Sequence, residues 1–141
     1  MVRKTRKILV VADAFVALND RNDTNHKKAK ELVIDVINNE TELIVSDPAF
    51  GEAVTVISMN AGLLAAIKFA EDTLGSSIEI IEVDSELRRE GLDIFKKQTS
   101  KNSRFTDCIN MAIMKKMGLK TIFSFDVQYK KNKFKRFGID K

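Results

Sequence analysis

The sequence predicts an α/β fold with a mainly parallel central sheet, and three observations carry that expectation. Short apolar runs of strand length recur at residues 8–12, 43–46, 78–83 and 121–125. Between them lie longer segments whose apolar residues repeat at helical spacing. The chain has 141 residues, 44% of them hydrophobic, which is enough for a single core without disulfides or a structural metal. Strands alternating with helices build parallel sheets, because each crossover helix returns the chain to the same edge.

Each element has a local reason. Ile8, Leu9, Val10 and Val11 form a buried strand that stops on Asp13. Residues 14–19 read as a short helix and residues 20–25 as a polar loop. Residues 26–38 carry Ala29, Leu32, Val33, Val36 and Ile37 on one helical stripe, and Asn38 with Asn39 ends it. Residues 43–46 are a second strand. Asp47 then suits an N-cap and Pro48 the first helical position, for a helix through Glu52 to Met59. Asn60, Ala61 and Gly62 bend the chain before a further helix to Thr73.

Leu74, Gly75 and Ser76 turn the chain into a third strand built on Ile78, Ile80, Ile81 and Val83. Asp84 and Ser85 cap a charged helix to Gln98, in which Gly91 is a mild weakness. Ser103 is the expected N-cap of a helix to Met117, apolar almost all round, with Asp107 near its start and Gly118 as its stop. A fourth strand at residues 121–125 ends on Asp126. The remainder reads as a basic tail with Phe134 and Phe137 interleaved. Residues 1–141 therefore read as one domain.

Composition excludes several classes. One cysteine, Cys108, permits no intrachain disulfide. One cysteine and one histidine cannot build a zinc cage, so any metal is a hard cation held by oxygen. Arg3, Lys4, Arg6 and Lys7 precede an apolar run, but Asp13 interrupts that run too early for a signal peptide. The apolar stretch 61–70 contains Lys68 and is too short for a membrane span. The expected setting is cytoplasmic.

Charge is uneven. From residue 101 onward 11 Lys/Arg stand against 3 Asp/Glu, whereas the first hundred residues hold 13 against 17. A basic half is the electrostatic footprint of a polyanion binder, although a solvated lysine surface gives the same numbers.

Four acids fall where such a sheet collects ligands, outside the carboxyl ends of its strands. Asp13 and Asp126 follow the first and last strands, and Glu52 and Asp107 lie near helix starts. Four carboxylates at one edge repel one another unless a cation stands among them. Mg²⁺ or Mn²⁺ takes oxygen ligands and supports phosphodiester hydrolysis. Acids at strand ends and first helical turns also occur for capping and dipole reasons alone.

These residues resemble a known family. Asp13 closing the first strand, Glu52 in the helix after the second, Ser103-Arg104-Phe105-Thr106-Asp107 opening an apolar helix, and Ser124-Phe125-Asp126 after Gly118 are similar to the PIN-domain nucleases. The segment 20–29, with His26 and Ala29, resembles the family's second helix entry. The likeness spans essentially the whole chain, and its size is most like the VapC-type toxins of toxin–antitoxin pairs.

The resemblance implies a PIN-like three-layer α/β/α fold and an endoribonuclease dependent on Mg²⁺ or Mn²⁺. It makes Asp13 and Asp107 the principal metal ligands, Glu52 a ligand or water-positioning base, and Asp126 a ligand directly or through water. Ser124 would orient Asp126 or a water. RNA, a cognate antitoxin and a second copy of the chain are the implied partners, the last supported by the surplus apolar surface at residues 61–70. The sequence departs from the family at Phe15, where a small polar residue is common.

Other residues have plainer roles. His26 suits a helix start, Cys108 a core position. Arg104 fits a phosphate contact at the rim, and Lys130 and Lys131 begin a stretch that could track RNA phosphates. Alternatives are a PIN-type RNA-processing nuclease outside a toxin system, a non-catalytic RNA-binding protein, and a receiver-like phosphoacceptor with Asp47 as acceptor.

Overall fold

The computed structural model describes residues 6–141, so Arg3 and Lys4 of the basic leader lie outside the described residues. The order of elements is β1 (Lys7–Val10), α1 (Ala12–Asn19), α2 (His26–Asn38), β2 (Glu42–Ser46), α3 (Asp47–Ala61), α4 (Leu63–Leu74), β3 (Glu79–Ile81), α5 (Ser85–Lys96), α6 (Phe105–Met117), β4 (Thr121–Phe123), α7 (Val127–Lys131) and β5 (Lys135–Arg136). The strands form one sheet in the order β3-β2-β1-β4-β5, with every neighbouring pair parallel.

The two-residue period of β1 explains the layering. Ile8 and Val10 face a cluster with Phe15 of α1, Leu32 of α2, Ala49, Ala53 and Ile57 of α3, and Ala66 and Phe69 of α4. Leu9 faces the other way, toward Leu87 of α5, Ile109 and Ile113 of α6, and Tyr129 of α7. Both faces of the sheet are covered, so its strands read as continuous apolar runs. The three-layer α/β/α expectation holds.

Four local expectations need correction. Ser46, not Asp47, is the N-cap of α3: its hydroxyl accepts the Ala49 N–H at 3.3 Å, and Asp47 is the exposed first helical residue. Arg104, not Ser103, is the N-cap position of α6, without a side-chain cap. Asp13 lies in the first turn of α1 rather than at the end of a strand, because the helix starts at Ala12. The basic tail is structured, forming α7 and the edge strand β5.

A half-buried ion pair ties that tail together. Arg136 donates through Nε and Nη2 to the two carboxylate oxygens of Asp140 at 2.9 and 3.0 Å, and its backbone N–H adds a third bond at 2.9 Å. This bidentate contact holds the Asp140 carboxyl down at about 2. Phe134 is buried and Phe137 packs against the core, so both phenylalanines serve packing.

Gly91 has a positive role. A Cβ there would stand 2.9 Å from Ile109 Cγ1, so the glycine sets how closely α5 approaches α6. Gly118 closes α6 in the left-handed conformation at φ 68°.

Candidate active site at the carboxyl edge of the sheet

Because all five strands run the same way, the segments after β1, β2 and β4 open at one edge. There a small cavity of about 60 Å³ is lined by Asp13, Glu52, Arg104, Asp107, Asn110, Ser124, Asp126 and Tyr129, with Val11 and Ala12 as its apolar floor. All four expected acids and Arg104 are in this wall. Lys130 and Lys131 are not: both lie in the last turn of α7, and Lys130 Nζ is 3.8 Å from Asp140 Oδ1.

Each acid is held by a different device. Asp13 Oδ2 accepts the Ser124 hydroxyl at 3.0 Å and the Phe125 backbone N–H at 2.8 Å. The Ser124 oxygen in turn accepts the Asp126 N–H at 3.1 Å. Ser124 therefore joins two acids, where the sequence suggested only one. Asp126 is the N-cap of α7 and accepts the Gln128 N–H at 2.9 Å. Glu52 Oε1 pairs with Arg104 Nη1 at 3.1 Å, and Asp107 Oδ1 accepts the Tyr129 hydroxyl at 2.7 Å.

The family's small polar residue near the first acid is replaced by Phe15, which is buried and packs on Phe69 with ring centroids 5.0 Å apart. Ser124 and the Phe125 backbone supply the polar contact from across the sheet. His26 opens α2, as expected, and has a role the sequence did not suggest: Nδ1–H donates to the Ala17 carbonyl at 2.7 Å, fastening α2 to α1. Cys108 is fully buried in the core.

The electrostatics are those of carboxylates short of a counter-charge. Burial pushes the Asp13 carboxyl up to about 6, against the hydrogen bonds that favour its anion, and Asp126 adds to the rise. Burial also raises Asp107, with further repulsion from Asp126 and Glu52. Asp13 Oδ1 is buried with no hydrogen-bond partner among the described residues. An orphaned buried carboxylate oxygen, beside three further oxygen-donor side chains, fits a hard divalent cation.

Among the described residues, no three Asp, Glu, His or Cys side chains are drawn close enough to cage a metal by themselves. Mg²⁺ is commonly held by one or two carboxylates, with waters and substrate phosphates completing its shell.

Sequence reasoning missed Asn110, Tyr129 and Ser46. Two signals were available: Asn110 is the lone polar residue in the apolar run 108–114, one helical turn after Asp107, and Tyr129 is the chain's single tyrosine.

Similarity to known proteins agrees with this geometry. The chain is 24% identical over 119 residues to the 23S rRNA-specific endonuclease VapC20 of Mycobacterium tuberculosis (strain CDC 1551 / Oshkosh), covering 84% of this chain and 88% of that protein. The VapC20 of strain H37Rv aligns with the same figures. The crystal structure of Mycobacterium tuberculosis VapC20, described as a Sarcin-Ricin loop cleaving toxin, superposes with a TM-score of 0.80 at 22% identity, covering 90% of this chain and 95% of that one. VapBC2 from Rickettsia felis, bound to a DNA fragment from its promoter, superposes with a TM-score of 0.63 at 12% identity, over 92% and 96% of the two chains. Residues 8–135 match the PIN domain model, and the chain belongs to the PIN domain family.

Proposed function

We propose that this chain is a divalent-cation-dependent endoribonuclease and the toxin of a toxin–antitoxin pair. The observation that carries the reading is the convergence of Asp13, Glu52, Asp107, Asp126 and Arg104 on one cavity at the carboxyl edge of a parallel sheet. Asp13 and Asp107 are the principal cation ligands, with Glu52 and Asp126 completing the acidic wall. When bound, Mg²⁺ or Mn²⁺ lowers the pKa of water and offsets the charge that develops on a phosphodiester.

The chain's own residues do the rest. Arg104, exposed at the rim, leaves Glu52 to meet the phosphate of an entering strand and thereby positions it over the acids. Ser124 keeps Asp13 and Asp126 in fixed orientation. A second cavity of about 200 Å³, lined by Asp13, Val16, Asp23, Asn25, Glu52, Val56 and Arg104, adjoins the first and gives the nucleotide beside the cleaved bond a place to lie. VapC20 is named for 23S rRNA, which makes ribosomal RNA the first substrate to test.

The same relatives support an antitoxin partner. A homodimer is proposed through α3 and α4, where Met59, Leu63, Leu64 and Leu74 are each more than three-fifths exposed. Among the described residues no helix is long and apolar enough to cross a membrane.

The test is cleavage of total RNA with Mg²⁺, with Mn²⁺ and with EDTA, by the wild type and by Asp13→Asn and Asp107→Asn. The expected result is cation-dependent cleavage that both variants lose while keeping the wild-type circular dichroism spectrum. Full cleavage by either variant, or cleavage in EDTA, overturns the assignment.

A further inference from the structure

A line of buried hydrogen bonds runs from the start of α3 to Asp107, and the protons available to each group fix its direction. The Ala49 N–H donates to Ser46 Oγ at 3.3 Å. The Ser46 hydroxyl proton then goes to Asn110 Oδ1, 2.6 Å away. With its oxygen engaged there, the Asn110 amide turns its NH₂ toward Tyr129, and Nδ2 donates to the phenolic oxygen at 3.1 Å. The phenol has one proton to give, and Asp107 Oδ1 takes it at 2.7 Å. Ser46, Asn110 and Tyr129 are at most 1% exposed, so bulk water barely reaches these groups.

Apolar groups of the same shape at buried, mutually paired positions can be nearly neutral for stability. What the polar version adds is orientation, because three elements (α3, α6 and α7) converge to hold one carboxylate oxygen.

We propose that Tyr129 is the positioning residue of this site. Its hydroxyl, aimed by Asn110 and Ser46, holds Asp107 by one oxygen so that the other serves a divalent cation in the cavity. This inference rests on reading the cavity as a cation-dependent nuclease centre. It assigns the α3 N-cap a second role at the far end of the relay, as the origin of its direction.

The experiment is Mn²⁺ titration by calorimetry of the full chain, alongside RNA cleavage and melting temperature, for the wild type, Tyr129→Phe, Asn110→Leu and the double variant. Tyr129→Phe is expected to weaken Mn²⁺ binding by about 10- to 100-fold, the range seen when partners of metal ligands are removed, and to lower kcat with it. KM for RNA should stay within about twofold, because the bond acts on the cation site and not on substrate docking. Asn110→Leu should produce a smaller loss in the same direction. The double variant should lose no more than Tyr129→Phe alone, since both changes act through one bond.

Unchanged Mn²⁺ affinity in Tyr129→Phe, or a double variant that loses the product of the two single losses, overturns the proposal. Should Tyr129→Phe fail to fold, unchanged Mn²⁺ affinity in Asn110→Leu overturns it instead. A wild type that binds no Mn²⁺ overturns this proposal and the nuclease reading together. A wild type that binds Mn²⁺ but leaves RNA intact overturns the nuclease reading alone, and the Mn²⁺ titrations still decide the role of Tyr129.

Discussion

Asp13 accepts the backbone N–H of Phe125 at 2.8 Å, joining two residues 112 positions apart. The Phe125 carbonyl, on the other side of the same residue, accepts Arg136 Nη1 at 3.0 Å. The loop after β4 is thus gripped from both sides, by the acid of the first helix and by the guanidinium of the edge strand. This arrangement brings Ser124 and Asp126 to the cavity, and it also buries the Asp13 carboxylate enough to change its chemistry.

The first prediction concerns pH and the metal-free protein. The Asp13 carboxyl titrates near 6 when folded and near the ordinary 3.8 when unfolded. Between those values the folded chain binds more protons than the unfolded one, so its stability falls as pH rises from about 4 to about 6 and stays reduced above. The contribution is on the order of 1–3 kcal/mol. Chemical denaturation in EDTA should show a larger fall in the wild type than in Asp13→Asn, where only the raised Asp107 carboxyl still contributes. Equal pH dependence in the two proteins rules it out. Saturating Mn²⁺ should restore the wild type above pH 6 by binding the folded state.

Ser124→Ala tests the link between two acids. The change removes one of the two donors to Asp13 Oδ2 and leaves the Asp126 N–H without its hydroxyl acceptor. Leaving a partly buried donor unpaired costs about 1 kcal/mol, the low end for a buried group, read as a melting temperature a few degrees lower. Mn²⁺ affinity should fall as well. An unchanged melting temperature would show that the hydroxyl is dispensable for holding the β4 loop.

At Gly91 helix propensity and packing oppose one another. Alanine gains up to about 1 kcal/mol of propensity in a helix interior. Its Cβ would sit 2.9 Å from Ile109 Cγ1 and 3.4 Å from the Ile109 backbone, so α5 must move off α6. Overpacking of this kind costs about 1–3 kcal/mol. Gly91→Ala is therefore expected to destabilise, and thermal melting that shows stabilisation would refute the packing argument.

Arg104→Ala addresses the rim. The Arg104 side chain is 72% exposed and held by a single contact to Glu52, which makes that ion pair of little value to stability. The variant should fold with an unchanged melting temperature. It should bind RNA more weakly, with the slope of log affinity against log salt reduced by about 1, as for the loss of one phosphate contact. An unchanged salt slope in filter binding would remove Arg104 from the substrate contacts.

The placement of the four acids was legible in the sequence because it depends on residue type and order. Asp13, Asp107 and Asp126 lie at helix starts and Glu52 in the second turn of α3, and a parallel sheet sends all such helix starts to one edge. Alternating strand and helix patterns also specified the layers, since the apolar residues of β1 had to face both ways. The tail was misread for a physical reason. Lys135 and Arg136 have no apolar alternation, and β5 exists because its edge is paired with β4 and its arginine is neutralised by Asp140.

What only the tertiary structure decided is which side chains hold which acids. Ser124 joining Asp13 to Asp126, Phe15 giving up a polar role to pack on Phe69, and Tyr129 reaching Asp107 all involve partners from separate elements. Local propensity reports the conformation of a segment and says nothing of what a buried hydroxyl meets across the core. The sequence by itself determined an acidic centre at the carboxyl edge of a parallel sheet. The packing of α3, α6 and α7 around Asn110 and Tyr129 decided how one of those acids is held, because a buried polar group must find its partner wherever the fold places it.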